Sequence, residues 1–255
     1  MLFAFDLDAT LVSDDFRMSD TTRRAVLALR EQGHTVTVIT GRTERSAKLF
    51  LEPLQVTGFY GTDHGARIVG EGALLHRSEI EAACLRDIVA RSHKVGASVS
   101  FTVHDDVFVE KPESPMWDWL RRFEHRMLAH DAYQDASADK IVMHAPAGHD
   151  ELCAELQAHY PDLTYYNYET RLEITGKDGH KGAALERLAH TLGFAQADTV
   201  AFGDGLNDVS MMQWAGTSIA VGPRAHPEVV AAANTHVAAP EEEGVAEWLF
   251  EHFLM

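Results

Sequence analysis

The chain has 255 residues, 45% of them apolar, with 22 basic and 39 acidic side chains for a formal charge of −17. That length and apolar content suit a globular protein with a buried core in one large domain or two smaller ones, and the acidic balance disfavours a nucleic-acid or anionic-membrane partner. No stretch approaches the roughly 18 uninterrupted apolar residues of a membrane span, no basic leader region opens the chain, and Cys84 and Cys153 are too few and too far apart for a disulfide framework or zinc site, so a cytoplasmic protein with reduced cysteines is expected.

The apolar run Phe3-Ala4-Phe5 suits a buried strand, and Asp6 and Asp8 follow it on either side of Leu7. Ser19 caps a predicted helix whose Ala25, Val26 and Leu29 share a face, and Gly33 suits its stop. A strand through Val36, Val38 and Ile39 runs into Thr40-Gly41-Arg42; a helix carrying Ala47, Leu49 and Phe50 precedes Pro53; Gly58-Phe59-Tyr60 reads as a third short strand. This alternation predicts a parallel sheet with helices on its faces. Short strands at Arg67–Val69 and Leu74–His76 then make a hairpin around Gly70-Glu71-Gly72.

Beyond this point the alternation changes. Ser78 with Glu81 forms a capping box for a helix reaching about His93, and Ser98–Val103 pairs with Val107–Glu110 across the Asp105-Asp106 turn. A helix at Trp117–Leu128, a strand at Lys140–His144, a helix at Asp150–His159 and strands at Leu163–Tyr168 and Arg171–Thr175 complete the section. It is α+β in character and reads as an inserted domain over residues 83–177, with hinges near Ser78–Ala82 and Gly176–Gly179. His125 and His130, placed on one helix, read as solvated or packing residues, because no metal-ligand spacing such as H-E-x-x-H occurs. Tyr165-Tyr166-Asn167-Tyr168 reads as strand packing, with an aromatic over a sugar ring as the alternative. His104-Asp105-Asp106 reads as an exposed turn that could instead reach a crevice, and Arg171 and Glu173 carry a similar claim.

The strand and helix alternation returns at Lys181. A helix over Gly182–Leu192 presents Ala184, Leu185, Leu188 and Leu192 inward, and the short strand Thr199–Phe202 ends in Gly203-Asp204-Gly205-Leu206-Asn207-Asp208. A helix at Val209–Ala215, a strand at Ser218–Val221, a helix with Pro227 in its first turn, a strand at Thr235–Val237 and a closing helix to Phe253 follow. The expected fold is α/β: a Rossmann-like parallel-sheet core from residues 1–82 and 178–255, with the inserted α+β cap between them.

In such a sheet the carboxyl ends of the strands share one edge, so Asp6 and Asp8, Thr40, Lys181, and Asp204 with Asp208 can converge in one crevice. Two carboxylates ~4 Å apart repel by about 4 kcal/mol at an effective dielectric near 20, and a bound dication relieves that repulsion. Oxygen ligands without histidine or cysteine favour magnesium, which retains waters and takes a phosphate oxygen. Lys181 and the backbone N–H groups after Thr40, starting with that of Gly41, then suit a phosphoryl group beside the metal. One aspartate of the first pair would attack phosphorus in line while the other protonates the leaving oxygen and later activates water.

Taken together, Asp6-Leu-Asp8-Ala-Thr10-Leu, Ile39-Thr40-Gly41-Arg42, Lys181-Gly182 and Gly203-Asp204-Gly-Leu-Asn207-Asp208 resemble the four motifs of the haloacid dehalogenase superfamily. Their order, with the insertion between the second and third, resembles the Cof-type subclass IIB phosphatases over nearly the whole chain. The resemblance implies Asp6 as nucleophile and Asp8 as general acid/base. It implies Thr40 and Lys181 as phosphate ligands with Asn207 near the phosphate. Magnesium would be bound by Asp6, the Asp8 carbonyl and Asp204, with Asp208 supporting the metal and Arg42 and His64 as supporting residues. Two positions depart from the pattern. Ala9 stands where the family usually has glycine, and tolerance is expected; His64 stands where relatives commonly have asparagine, so a difference in substrate preference or pH dependence is expected. The implied activity is hydrolysis of a small phosphorylated metabolite such as a sugar phosphate. The alternatives are a phosphosugar mutase of the phosphomannomutase kind, a receiver-type phospho-acceptor, which is about half this length, and a non-catalytic binding member of the family. The sequence carries no signal for oligomeric state.

Overall fold

A computed structural model describes residues 1–122, 125–145 and 148–254. Strand β1 (Leu2–Phe5) is fully buried, and its period-two alternation splits the core: Phe3 and Phe5 enter one apolar cluster, Leu2 and Ala4 another on the opposite face. Helix α1 (Asp20–Glu31) starts where Ser19 Oγ accepts the Thr22 N–H at 3.0 Å, and it lays Ala25, Val26 and Leu29 on the Phe3 and Phe5 side. Strand β2 (Thr35–Val38) returns parallel beside β1, and α2 (Glu44–Leu51) follows the Thr40 turn.

Strand β3 (Phe59–Thr62) departs from the expected parallel sheet. It pairs antiparallel with β4 (Arg67–Gly70), which pairs antiparallel with β5 (Ala73–Arg77), making a separate three-stranded sheet. Its other edge meets the β2 chain through the single Ile39 and Gly61 bridge and the Thr37 hydroxyl, which donates to the Phe59 carbonyl at 2.9 Å.

The next section forms one mixed sheet in the order β10-β11-β9-β6-β7-β8. Helix α3 (Ala82–Lys94) leads into β6 (Ser98–Val103) and β7 (Asp106–Val109), antiparallel across a turn at His104. The predicted capping box at Ser78 and Glu81 does not form. Ile80 is held extended by paired backbone bonds with Ala138, so the helix begins at Ala82, and Ser78 Oγ instead accepts the Asp178 N–H at 3.1 Å. Nor is there one helix over Trp117–Leu128, a span that includes residues 123 and 124 outside those described. A short α4 (Asp118–Arg122) buries Leu120, beside the buried Trp117, against Val107 and Val109, and β8 (Arg126–Ala129) then pairs parallel with β7. An edge strand in need of a partner outweighs local helical spacing, and His125 and His130 consequently share no helix.

Strand β9 (Lys140–His144), helix α5 (His149–His159) and strands β10 (Thr164–Asn167) and β11 (Arg171–Thr175) complete that sheet. Cys84 and Cys153 are free thiols beside its apolar cluster. The chain then supplies α6 (Lys181–Leu192), β12 (Thr199–Gly203), α7 (Val209–Trp214), β13 (Thr217–Val221), α8 (Pro227–Ala232), β14 (Thr235–Val237) and α9 (Gly244–His252). Strands β12, β13 and β14 add in parallel to give the order β14-β13-β12-β1-β2, with β12 central and β1 between it and β2. The carboxyl ends of β1, β2 and β12 therefore open on one edge. Among the described residues no helix is long and apolar enough to cross a membrane.

Candidate active site

Asp6 leaves β1 at this edge, anchored by its N–H to the Phe202 carbonyl at 3.0 Å. Its buried carboxylate accepts from Lys181 Nζ at 2.7 Å, and the same ammonium reaches Asp208 Oδ1 at 2.7 Å. Lys181 opens α6 and is fully buried, so two carboxylates share one dehydrated cation. The other Asp208 oxygen accepts the N–H groups of Asp204, at 3.1 Å, and Gly205, at 2.9 Å, which closes the loop after β12. Gly203 makes that loop possible, because a Cβ there would lie 2.4 Å from Asp208 Cγ. The Thr10 hydroxyl donates to Asp204 Oδ1 at 2.9 Å and ties the first acidic loop to the last.

Carboxylate oxygens of Asp6, Asp204 and Asp208 lie within 4.8 Å of one another. Burial, reinforced by Asp208, Asp204 and Asp8 and opposed by Lys181, pushes the Asp6 carboxyl well above the usual range. Burial and Asp208 push Asp204 up to about 7. This excess of buried negative charge, with only oxygen donors, fits a hard divalent cation.

Asp8 lies two residues beyond Asp6 and is partly exposed. Arg42 grips it with a two-pronged fork, Nε to Oδ2 at 2.9 Å and Nη2 to Oδ1 at 2.6 Å, while its guanidinium stacks on Phe50 at 4.6 Å and reaches Ser46 Oγ at 3.2 Å. Ala9 follows Asp8 at φ +55°. Such a left-handed conformation costs a residue with a Cβ about 1–2 kcal/mol.

The loop after β2 holds Thr40 fully buried, its hydroxyl accepting the Arg42 N–H at 3.2 Å. The surface offered to the cavity there belongs to Gly41 and Arg42. His64 packs on Gly41, where a Cβ would meet His64 Cε1 at 2.6 Å. The imidazole bridges two parts of the molecule: Asn207 Nδ2 approaches Nδ1 at 2.9 Å, and Nε2 hydrogen-bonds to Glu173 of β11. With Asn207 donating, the neutral ring donates from Nε2. Burial lowers the His64 pKa to about 4 despite Glu173; the Glu173 carboxyl is itself held below its ordinary value, where His64 and Arg171 overcome the effect of burial.

These groups form one wall of a cavity of about 350 Å³. The opposite wall comes from the six-stranded sheet and its connections: Ser100, Thr102, Lys140, Arg171 and Glu173, with Trp119, His125 and Tyr168 at the sides. Lys140 Nζ crosses to the Gly41 carbonyl and stands 4.0 Å from Asp63 Oδ1. Arg171 lies over the Tyr168 ring at 4.3 Å, so one face of that aromatic is already covered. Asp6, Asp8, Gly41, Arg42, His64, Asp204 and Asn207 line the cavity, whereas Thr40, Lys181 and Asp208 lie behind the lining. His104 is exposed and Asp105 binds the Arg45 N–H at 2.8 Å, so that turn rests on α2 and does not enter the cavity. Lys140, His125 and Trp119 were not singled out as cavity residues from the sequence. The available signal was the polar alternation of Ser100 and Thr102 inside an apolar strand.

The sequence profile of the haloacid dehalogenase-like hydrolases matches residues 3–249. The chain belongs to this family. Curated relatives include an HMP-PP phosphatase of Yersinia enterocolitica, 29% identical with 99% of this chain and 95% of the relative covered. A 5-amino-6-(5-phospho-D-ribitylamino)uracil phosphatase of Bacillus subtilis is 26% identical, covering 99% and 97%. Among solved structures, a HAD subclass IIB sugar phosphatase shares the fold with a TM-score of 0.85 at 22% identity, covering 99% of this chain and 98% of that one. The haloacid dehalogenase-like chain is accordingly a Cof-type member, and its relatives are phosphatases.

Proposed function

We propose that the chain is a magnesium-dependent phosphomonoesterase that hydrolyses a small phosphorylated metabolite, with a sugar phosphate as the leading class, through an aspartyl phosphate on Asp6. The observation that carries this reading is the grouping of Asp6, Asp204 and Asp208 within 4.8 Å at the strand edge, with Lys181 bonded to Asp6 and Asp208. Residues 1–82 and 178–255 would act as the catalytic core and 83–177 as a cap.

Magnesium, when bound through Asp6, Asp204 and the Asp8 carbonyl with Asp208 in support, neutralises charge on the transferring phosphoryl group. The chain's own groups do the rest. An Asp6 oxygen attacks phosphorus as the ester P–O bond breaks, and Asp8, protonated, gives its proton to the leaving alcohol. Asp8 then takes a proton from water as that water attacks phosphorus, which frees inorganic phosphate and restores Asp6. The Arg42 fork favours ionised Asp8, so the acid step requires the carboxyl to leave that fork. Thr40, Gly41 N–H, Lys181 and Asn207 would position the phosphoryl oxygens, with the cap excluding water. The lining of Lys140, Arg171, Tyr168 and Trp119 suits a polar leaving group with one flat or apolar face.

Phosphate release from an aryl phosphate, measured with magnesium and with excess chelator, tests the reading. Activity is expected only with the metal, and Asp6→Asn should lower it by ~10⁴-fold or more. Activity that survives chelation, or that Asp6→Asn leaves intact, would refute the mechanism.

A further inference from the structure

Strand β6 divides two cavities by simple alternation: Ser100 and Thr102 face the catalytic cavity, and Phe101 between them faces a second one of about 250 Å³. Its wall includes His93, at the end of α3, and His130, in the turn after β8. Glu110 follows β7 two residues beyond Phe108, which puts it on the same face as Phe101. A ring nitrogen of each histidine and a carboxylate oxygen of Glu110 lie within 4.8 Å of one another.

We propose that His93, Glu110 and His130 form a second metal site, selective for a borderline transition-metal ion of the zinc class, on the face of the sheet opposite the active site. Two imidazoles and one carboxylate are the donor set such ions take, whereas magnesium takes oxygen. The spacing is right: His93 Nε2 and Glu110 Oε1 are 3.4 Å apart, against an edge of about 3.3 Å for a tetrahedron with bonds near 2.0–2.1 Å. His130 carries an independent sign. Its Nε2 is buried and has no hydrogen bond of acceptable geometry, although the Val99 and Phe108 carbonyls lie near the ring. Carbonyls of that kind commonly take the other N–H of a metal-bound imidazole. Burial also lowers the His130 pKa, which favours the neutral, ligating form. Glu110 is already oriented, since Oε1 accepts the Val99 N–H at 2.7 Å. On binding, the cation takes the place facing Glu110 at His93 Nε2, and the neutral ring keeps its single proton on Nδ1. Three protein donors would leave a tetrahedral ion one position for water or a small ligand.

Cobalt(II) is the probe, added to the full chain without a histidine tag, with excess magnesium to occupy the acidic site. One equivalent should bind with the visible absorption of a nitrogen-containing, low-coordinate cobalt site. That band should vanish in His93→Gln and in His130→Gln and persist in Asp204→Asn, and zinc should displace cobalt stoichiometrically. Affinity should fall by more than the ~10–100-fold typical of losing an outer-shell partner. His93 is exposed, so its variant keeps the test valid if His130→Gln fails to fold. Absence of the band, its persistence in His93→Gln, or its loss only in Asp204→Asn would overturn the proposal.

Discussion

The two walls of the catalytic cavity use the chain differently. On the parallel-sheet side each lining group sits in a loop directly after a strand: Asp6 and Asp8 after β1, Gly41 and Arg42 after β2, His64 after β3, Asp204 and Asn207 after β12. On the facing side, Ser100, Thr102, Val107, Lys140, Val142, Arg171 and Glu173 project from within strands at alternate positions. Strand-end loops release backbone N–H groups and side chains toward one edge, which suits charge and chemistry. Alternating strand faces offer a broad surface whose residues can change without disturbing the loops, which suits selection of the leaving group.

Changes on the first wall should damage folding and turnover together. Lys181→Met leaves Asp6 and Asp208 without their shared buried cation, so a loss of stability of ~3–5 kcal/mol is expected in denaturant unfolding, along with loss of phosphatase activity. A stable, active variant would break the distinction between the walls.

Changes on the facing wall should act on recognition. Arg171→Ala should raise KM for the physiological metabolite by ~10–100-fold while turnover of a small aryl phosphate stays nearly constant. An equal loss with both substrates would assign Arg171 to the chemistry instead.

The His64 and Glu173 contact joins the walls and sharpens the comparison through pH. Unfolded imidazole binds its proton near 6.5, whereas folded His64 resists protonation down to about 4. Glu173 is likewise depressed below its unfolded value. For both groups the unfolded state binds more protons, so stability is present above the unfolded values and is lost as pH falls through the folded ones. Buried Asp204 and Asp6, whose carboxyls are raised in the folded chain, act in the opposite sense. It is therefore the contact's own contribution to thermal stability that should decline between pH 6.5 and 4, and the stability difference between wild type and His64→Asn should shift in the variant's favour across that window as the imidazole contribution is removed. A variant with the same slope would show that the contact does not couple to folding.

The smallest effect is expected at Ala9. Ala9→Gly relieves the left-handed strain but frees the unfolded chain, so a net gain of roughly 0.5–1 kcal/mol should appear in chemical denaturation.

Much of the first wall was legible because its motifs are short and local. Asp6-Leu7-Asp8, Thr40-Gly41-Arg42 and Gly203 to Asp208 each occupy one strand end, and the apolar runs before them mark those strands. The sequence also marked Lys181, although not its place behind the lining, clamped between two carboxylates. Less of the second wall could be read. Trp117–Leu128 carries helical spacing, yet β7 recruits part of it as a strand, and Ser78 signals a cap that the Ile80 bridge prevents.

By itself the sequence determined the strand and helix order at both ends of the chain, the acidic edge and the identity of the groups on it, because local periodicity and turn chemistry specify them. Only the tertiary structure decided which strand face becomes a cavity wall, that His64 meets Glu173 across 109 positions, and that Lys140 reaches Gly41. Those outcomes depend on pairing register and on which charges lose their water together, and neither is encoded by any single stretch of the chain.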